Sequence, residues 1–234
     1  MEKIHKIQLS ILRNLLLSDG ITFTKLKPNE DMENNKFVFH LNKLIDAGLI
    51  NKESDLYFLT DIGKEFAGRI DTDELKFVKQ AKLSAWCCSI RKLGKKKEIL
   101  IGTRKKQPFY GCQGFIAGKI NYGEKVLHAA KRELYEETGL KGEPKLVQIR
   151  HYLTHKEGKL VGDKFMFLCL FENPVGEISL NYEVELEWVF LDDIFKYIKK
   201  PFGSIEEFNE IINLVINYTG AISFIEKIEA ADDF

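Results

Sequence analysis

Apolar residues spaced three to four apart open the chain: Ile4, Ile7, Ile11, Leu12 and Leu15 would share one side of a helix, stopped by Ser18-Asp19-Gly20. A second, short helix is predicted around Thr24 to Leu26. A third, from about Glu33 to Ala47, sets Phe37, Leu41, Leu44 and Ile45 on one side and ends at Gly48, a residue suited to the left-handed position after a helix. Two strands follow, Leu49 to Lys52 and Leu56 to Leu59, joined by the polar Glu53-Ser54-Asp55, and Thr60 caps a further helix through about Arg69. Residues 71–80 are polar, show no core pattern and read as a linker.

Beyond it the pattern changes. Lys82 to Lys92 reads as a strand with Trp86 and Ile90 in phase, and Glu98 to Thr103 as a second. The turn Lys95-Lys96-Lys97 between them reads as a solvated hairpin tip. Pro108, Gly111, Gly114 and Gly118 mark a long loop, and a helix is predicted from about Glu124 to Thr138. Strands are expected at Leu146 to Thr154, Lys164 to Phe171 and Glu185 to Phe190. A helix from Ser204 closes the chain, with Ser204-Ile205-Glu206-Glu207 as a capping box and Ile205, Phe208, Ile212 and Val215 as its apolar stripe. The fold class is therefore α+β, in two domains: residues 1–70, the linker 71–80, and residues 81–234 with a C-terminal helix.

The three helices and hairpin of the first part, with the stretches Phe39 to Ile50 and Tyr57 to Gly63, resemble the winged helix-turn-helix domains of small bacterial and archaeal repressors. Charge qualifies what that resemblance implies. The whole chain balances 35 Lys and Arg against 35 Asp and Glu, but residues 1–75 hold 10 against 13, a net −3, and the remainder is net +3. A DNA reader needs cations to neutralise phosphates. The third helix offers Asn34, Asn35, Lys36, His40, Asn42 and Lys43 to bases or phosphates, yet Glu30, Asp31 and Glu33 stand at its front. Two uses stay open: binding DNA, or docking a protein partner or a second copy in a homodimer. His40 reads as a surface or half-packed side chain.

With 44% hydrophobic, 12% aromatic and 30% charged residues, the composition is that of a globular protein. No apolar run reaches the roughly 18 residues of a membrane span. The start, Met1 to Lys6, leads into a charged amphipathic stretch without an apolar signal core, so the cytoplasm is the expected location. Four cysteines (Cys87, Cys88, Cys112, Cys169) form no CxxC pair. Adjacent Cys87 and Cys88 would point to opposite faces of a strand, and reduced packing residues are expected rather than a zinc site.

Candidate chemistry concentrates between Gly118 and Leu140. At 3.6 residues per turn, Glu133, Glu136 and Glu137 fall within an arc of about 100°, and Leu127, Ala130 and Leu134 form the adjoining apolar stripe. Carboxylates so spaced repel one another, so a cation belongs among them. Hard oxygen ligands on a rigid element after a Gly-containing loop suit Mg²⁺ or Mn²⁺ holding substrate phosphates. Arg132 can pair with one glutamate and fix its rotamer. Glu124 is expected in the first helical turn, where the helix dipole favours an anion. Gly139 would end the helix and Leu140 pin its exit.

Gly118, five residues, Glu124, seven residues, Arg132-Glu133-Leu134, one residue, Glu136-Glu137, one residue, Gly139-Leu140: this spacing resembles the Nudix box at every specified position. The resemblance, over about residues 80–200, implies an α/β/α sandwich with a mixed sheet between helices. It also implies a divalent-metal-dependent pyrophosphohydrolase acting on a nucleoside diphosphate linked to another moiety, with water attacking one phosphorus of a P–O–P bridge. By position, Glu133, Glu136 and Glu137 would be metal ligands, joined by the backbone carbonyl of Ala117; Glu124 would be an auxiliary carboxylate and Arg132 the orienting partner. Family members often have Pro-Gly-Gly where this chain has Ile116-Ala117-Gly118, and a glutamate where it has Asn121. The general base is expected to be Glu133, or a carboxylate in the loop before Trp188, Glu183 or Glu185. Arg104 and Lys105, with Lys106 beside them, are candidates for a distal substrate phosphate. Phe109, Tyr110 and Tyr152 would either stack a base or fill core and rim. The rival reading is a transcription regulator whose Nudix domain senses a nucleotide.

Overall fold

In a computed structural model, which describes residues 4–107 and 109–230, the first amphipathic stretch forms α1 (Lys6–Leu16). His5 caps it: its Nδ1 accepts the Ile7 N–H at 3.1 Å while Gln8 Oε1 accepts the His5 N–H at 2.9 Å, the reciprocal pairing that satisfies two orphan donors of a helix start. There follow β1 (Ile21–Thr22), α2 (Phe23–Leu26), α3 (Asn34–Asp46), β2 (Ile50–Glu53), β3 (Leu56–Leu59) and α4 (Asp61–Ala67). The strands form an antiparallel sheet in the order β1-β3-β2. Ile7, Leu9, Ile11, Leu12 and Leu15 of α1 and Phe37, Leu41 and Leu44 of α3 share one core with Leu26, Leu49, Ile50 and Tyr57. Thr60 Oγ1 accepts the Gly63 N–H at 3.0 Å and donates to the Gly48 carbonyl at 2.7 Å, so it caps α4 and ties it to the end of α3.

Two expectations for this first unit change. Residues 71–80 are not a featureless linker. The antiparallel pair β4 (Ile70–Asp71) and β5 (Lys76–Phe77) occupies them, its turn held by Asp71 Oδ1, which accepts the N–H groups of Asp73 and Glu74 at 3.0 and 2.9 Å. Ile70 is buried and Leu75 rests on the same core; two core positions five residues apart are too few to show a period. The chain divides after Lys79, within the stretch read as the linker.

His40, expected half-packed or on the surface, is buried and stacks on His5 with ring centroids 4.3 Å apart. Burial, then the neighbouring His5, Lys36 and Lys43, hold its pKa below the ordinary 6.5. A base depressed in this way is protonated first in the unfolded chain, so its contribution is intact above 6.5 and is lost as the pH falls. Between pH 7.5 and 5.5, amides of α1 and α3 should therefore lose protection in hydrogen exchange, corrected for intrinsic rates, and His40→Gln should flatten that dependence. Equal protection at both pH values would refute the assignment.

The second unit holds β6 (Lys82–Leu93), β7 (Lys96–Arg104), β8 (Gln113–Gly114), β9 (Ile116–Lys119), α5 (Val126–Thr138), β10 (Pro144–Lys156), β11 (Lys159–Glu172) and β12 (Val184–Phe190). A 3₁₀ turn (Leu191–Asp193), α6 (Ile194–Tyr197), α7 (Ile205–Ile216) and β13 (Ser223–Ala230) complete it. The sheet runs β12-β7-β6-β11-β10-β13, with β8 on β7 and β9 on β6. It is mixed: β6 with β11 and β10 with β13 are parallel, the other pairs antiparallel. Ala129, Ala130 and Leu134 of α5 pack on one face, over Ala85, Cys87, Cys169 and Phe171. Phe208, Ile211, Ile212 and Val215 of α7 pack on the other, over Cys88, Ile90, Leu168 and Leu170. Cys87 and Cys88 thus serve opposite layers, and all four cysteines are free and buried. No helix among the described residues is long and apolar enough to cross a membrane.

Several local expectations shift here as well. The long loop contains β8 and β9, so Gly114 and Gly118 lie in strands; Pro108 lies outside the described residues. Leu127 is 40% exposed and Ala129 takes its place in the helix stripe. The chain does not close on α7, because β13 follows and pairs with β10. Only half of the capping box forms: Ser204 Oγ accepts the Glu207 N–H at 3.1 Å. The Glu207 carboxylate turns instead to the buried Arg150 at 2.6 Å and accepts the Tyr152 hydroxyl at 2.5 Å, since leaving an arginine unpaired under a helix costs more than leaving a solvent-side N–H to water.

Candidate active site

Gly139 ends α5 in the left-handed conformation, φ +77°, and its N–H donates to the Tyr135 carbonyl at 2.8 Å. At the other end the helix starts later than its charge pattern suggests. Lys125 is the cap, so Glu124 lies ahead of the helix and not in its first turn. What holds Glu124 is local: its Oε2 accepts the Asn121 N–H at 3.0 Å, and Arg132, eight residues on, grips both carboxylate oxygens at 2.8 Å each. Arg132 and then the Asn121 amide hold its pKa down at about 2.

Arg132 is the hub of the site. Beyond its fork on Glu124, Nη1 donates to Glu133 Oε1 at 2.7 Å and to Glu136 Oε2 at 3.0 Å, and Nη2 donates to the Lys119 carbonyl at 2.9 Å. The guanidinium therefore fixes three carboxylates and the end of β9 together, which its planar array of donors allows and a lysine's point charge does not. Glu133 is 8% exposed. Burial raises its pKa, the Arg132 bond opposes the rise, and the charges of Glu136 and Glu137 add to it.

Its carboxylate lies over Gly118, opposite Ala85 on β6; a Cβ at Gly118 would sit 1.7 Å from Glu133 Cδ. Gly118 is thus required because the carboxylate occupies the space a side chain would fill. Ala117, the residue before it, is paired with Trp86, and its carbonyl belongs to the same strand end.

Glu137 is gripped from elsewhere. Asn181, in the segment before β12, donates its Nδ2 to Glu137 Oε2 at 2.8 Å and to the Glu137 carbonyl at 3.3 Å. No periodicity flagged Asn181; its contact spans 44 residues.

Of the remaining candidates, Glu183 and Glu185 do not join the Arg132 cluster. Glu183 pairs with Lys106, and Glu185 with Lys105 at 2.8 Å. Arg104 Nε donates to the Lys106 carbonyl at 3.1 Å, inside its own loop. Tyr152 is not available to stack a base, being buried with its hydroxyl committed to Glu207. Phe109 meets Phe202 edge-on at 5.9 Å, and Tyr110 is exposed.

Among the described residues no three His, Cys, Asp or Glu side chains are grouped as a closed ion site requires; the carboxylates gather on Arg132. The donor set still suits a hard divalent cation. Four carboxylates against one guanidinium leave three negative charges on one helix face and its preceding loop, all of them oxygen donors.

The NUDIX domain family model matches residues 82–208, more than half of the chain. The chain belongs to the Nudix hydrolase family. Among solved structures, the MutT protein of Bacillus halodurans is 22% identical, with a TM-score of 0.53 over 65% of this chain and 93% of that one. The Nudix domain of NrtR from Shewanella oneidensis, solved with ADP-ribose, is 15% identical, with a TM-score of 0.50 over 66% of this chain and 98% of that one. Both show the shared fold. A zebrafish (Danio rerio) oxidized purine nucleoside triphosphate hydrolase is 29% identical over 99 residues, 41% of this chain and 60% of its own length.

Proposed function

We propose that this Nudix hydrolase cleaves the P–O–P bridge of a nucleoside diphosphate linked to another moiety. The observation that carries the reading is the gathering of Glu124, Glu133 and Glu136 on Arg132 beside a Gly118 that has no room for a side chain. Glu133, Glu136 and Glu137, with Glu124 and the Ala117 carbonyl, would hold Mg²⁺ or Mn²⁺, which when bound supplies positive charge to the phosphoryl oxygens and the leaving phosphate. Arg132 keeps the carboxylates in register before substrate arrives, so little reorganisation remains for the reaction. Glu133 serves as general base: the Arg132 bond sits on Oε1, leaving Oε2 to take the proton of the attacking water. The water oxygen bonds to phosphorus as the bridging P–O bond breaks. Lys105 and Arg104, at the end of β7, supply charge for a more distant phosphate, with Glu185 and Glu183 steadying the lysines.

ADP-ribose, NADH, nucleoside triphosphates and dinucleoside polyphosphates, assayed with and without Mg²⁺ in H₂¹⁸O, test this. Hydrolysis should require the metal and place ¹⁸O on a phosphate product, and p-nitrophenyl phosphate should be untouched. A clear preference for p-nitrophenyl phosphate would sink the reading.

A second reading, a nucleotide-sensing regulator, rests on the first unit as a winged helix that binds DNA, a protein partner or a second copy. The observation favouring it is that α3 exposes Asn34, Asn35, Lys36, Asn42 and Lys43 together. The same nucleotides titrated against a duplex complex of the full chain decide it: sequence-specific nanomolar binding released by one of them would make hydrolysis secondary. With net −3 in residues 1–75, random duplex should not bind at micromolar protein in about 0.15 M salt.

A further inference from the structure

Four carboxylates face this site, and Arg132 orients three of them at the cost of neutralising charge. Glu137 is oriented differently. Its partner is the neutral side chain of Asn181, which reaches it from the segment between β11 and β12. The orientation of the Asn181 amide is fixed at both ends. Nδ2 donates to Glu137 Oε2 at 2.8 Å and to the Glu137 carbonyl at 3.3 Å, while Oδ1 accepts the Glu183 N–H at 2.8 Å. A flipped amide would set oxygen against oxygen at one end and nitrogen against an N–H at the other.

The segment carrying Asn181 is itself tied to the helix end. The Ser179 N–H donates to the Thr138 carbonyl at 2.9 Å, and Lys141 and Val175 exchange two backbone bonds of 2.8 Å. The Glu183 side chain pairs with Lys106 in the loop after β7.

We infer that Asn181 is a positioning residue for Glu137: it holds one carboxylate oxygen so that the other, with the full negative charge retained, is presented to the divalent cation. This rests on the reading of Glu137 as a metal ligand. An arginine in the same place would cancel the charge that attracts the ion, and a glycine would leave the rotamer to solvent. The neutral amide orients without competing. It also couples the segment before β12, where Glu183 stands, to the ion site.

The rival explanation is that Asn181 only holds its turn and caps the Glu137 carbonyl at the end of α5. Asn181→Ser separates the two, because a serine hydroxyl can still accept the Glu183 N–H in a turn of the same kind but is too short to reach Glu137. Mn²⁺ titration followed by electron paramagnetic resonance, on the full chain without substrate, reads the affinity directly; melting without metal reads the structural effect. In Asn181→Ser we expect Mn²⁺ affinity to fall about 10-fold, the usual effect of removing the partner that orients a ligand, with the metal-free melting temperature within about 2 °C of wild type. Added to Glu137→Gln, the serine should weaken binding by no more than about twofold, because the ligand it orients is already lost. Wild-type affinity in Asn181→Ser, or an equal loss in both backgrounds, overturns the inference and leaves Glu137 a ligand. Wild-type affinity in Glu137→Gln alone overturns the ligand assignment and the inference with it.

Discussion

Replacing Glu136 or Glu137 with glutamine is expected to lower kcat at least about 10²-fold at saturating Mg²⁺, some 2.7 kcal/mol at the transition state, without loss of fold. The amide keeps the size of the carboxylate and can still accept from Arg132 at position 136 or from Asn181 at position 137, so the packing has no reason to change. What disappears is one negative charge from a cluster that already balances four carboxylates with a single guanidinium. Less repulsion should leave the melting temperature unchanged or slightly higher. Steady-state rates over an Mg²⁺ titration, on the best substrate of the panel, measure the first part and thermal melting the second. Full activity in both variants would remove these residues from the site.

Gly118→Ala should be as damaging, for a steric reason. The new methyl carbon would lie 1.7 Å from Glu133 Cδ and 1.8 and 2.2 Å from its two oxygens, so the carboxylate must leave its place or β9 must move. A shift of about 1 Å at a reacting group costs on the order of 10² in rate, and the displaced Glu133 drags on Arg132 and so on Glu124 and Glu136. We expect kcat to fall about 10² to 10³-fold and the protein to melt earlier. Glu133→Ala clears the space, so Gly118→Ala added to it should cost almost no further stability. Wild-type activity in Gly118→Ala, or additive melting losses in the double variant, would contradict the placement of Glu133 over Gly118.

Periodicity and spacing carry well where a residue's role depends on its near neighbours in the chain. The amphipathic stripes of α1, α3 and α7 and the Gly139 stop are local features, legible one residue at a time. So is the one-sided array of Glu133, Glu136 and Glu137. The opposite faces of Cys87 and Cys88 followed from the two-residue repeat of a strand.

Elsewhere the pattern misled because a hydrogen-bond partner claimed the residue. Glu124 has the spacing of a first-turn residue, yet Arg132 and the Asn121 amide hold it ahead of the helix. Glu207 has the spacing of a capping glutamate, yet the buried Arg150 claims it. Edge strand β13 exposes Phe224 and Ile228 and so shows no buried face to read; it exists because β10 offers it a row of backbone partners.

By itself, the sequence determined the helix faces, the box and the carboxylates that could act together, since these follow from backbone repeats of 2 and 3.6 residues. Only the tertiary structure decided which group orients each carboxylate. Gly118 lies beneath Glu133 because β9 pairs with β6 under α5. Asn181 meets Glu137 because the segment before β12 closes on the end of that helix. A side chain's charge and reach are written in the chain, but its partner depends on which strands and helices the fold brings within hydrogen-bonding distance.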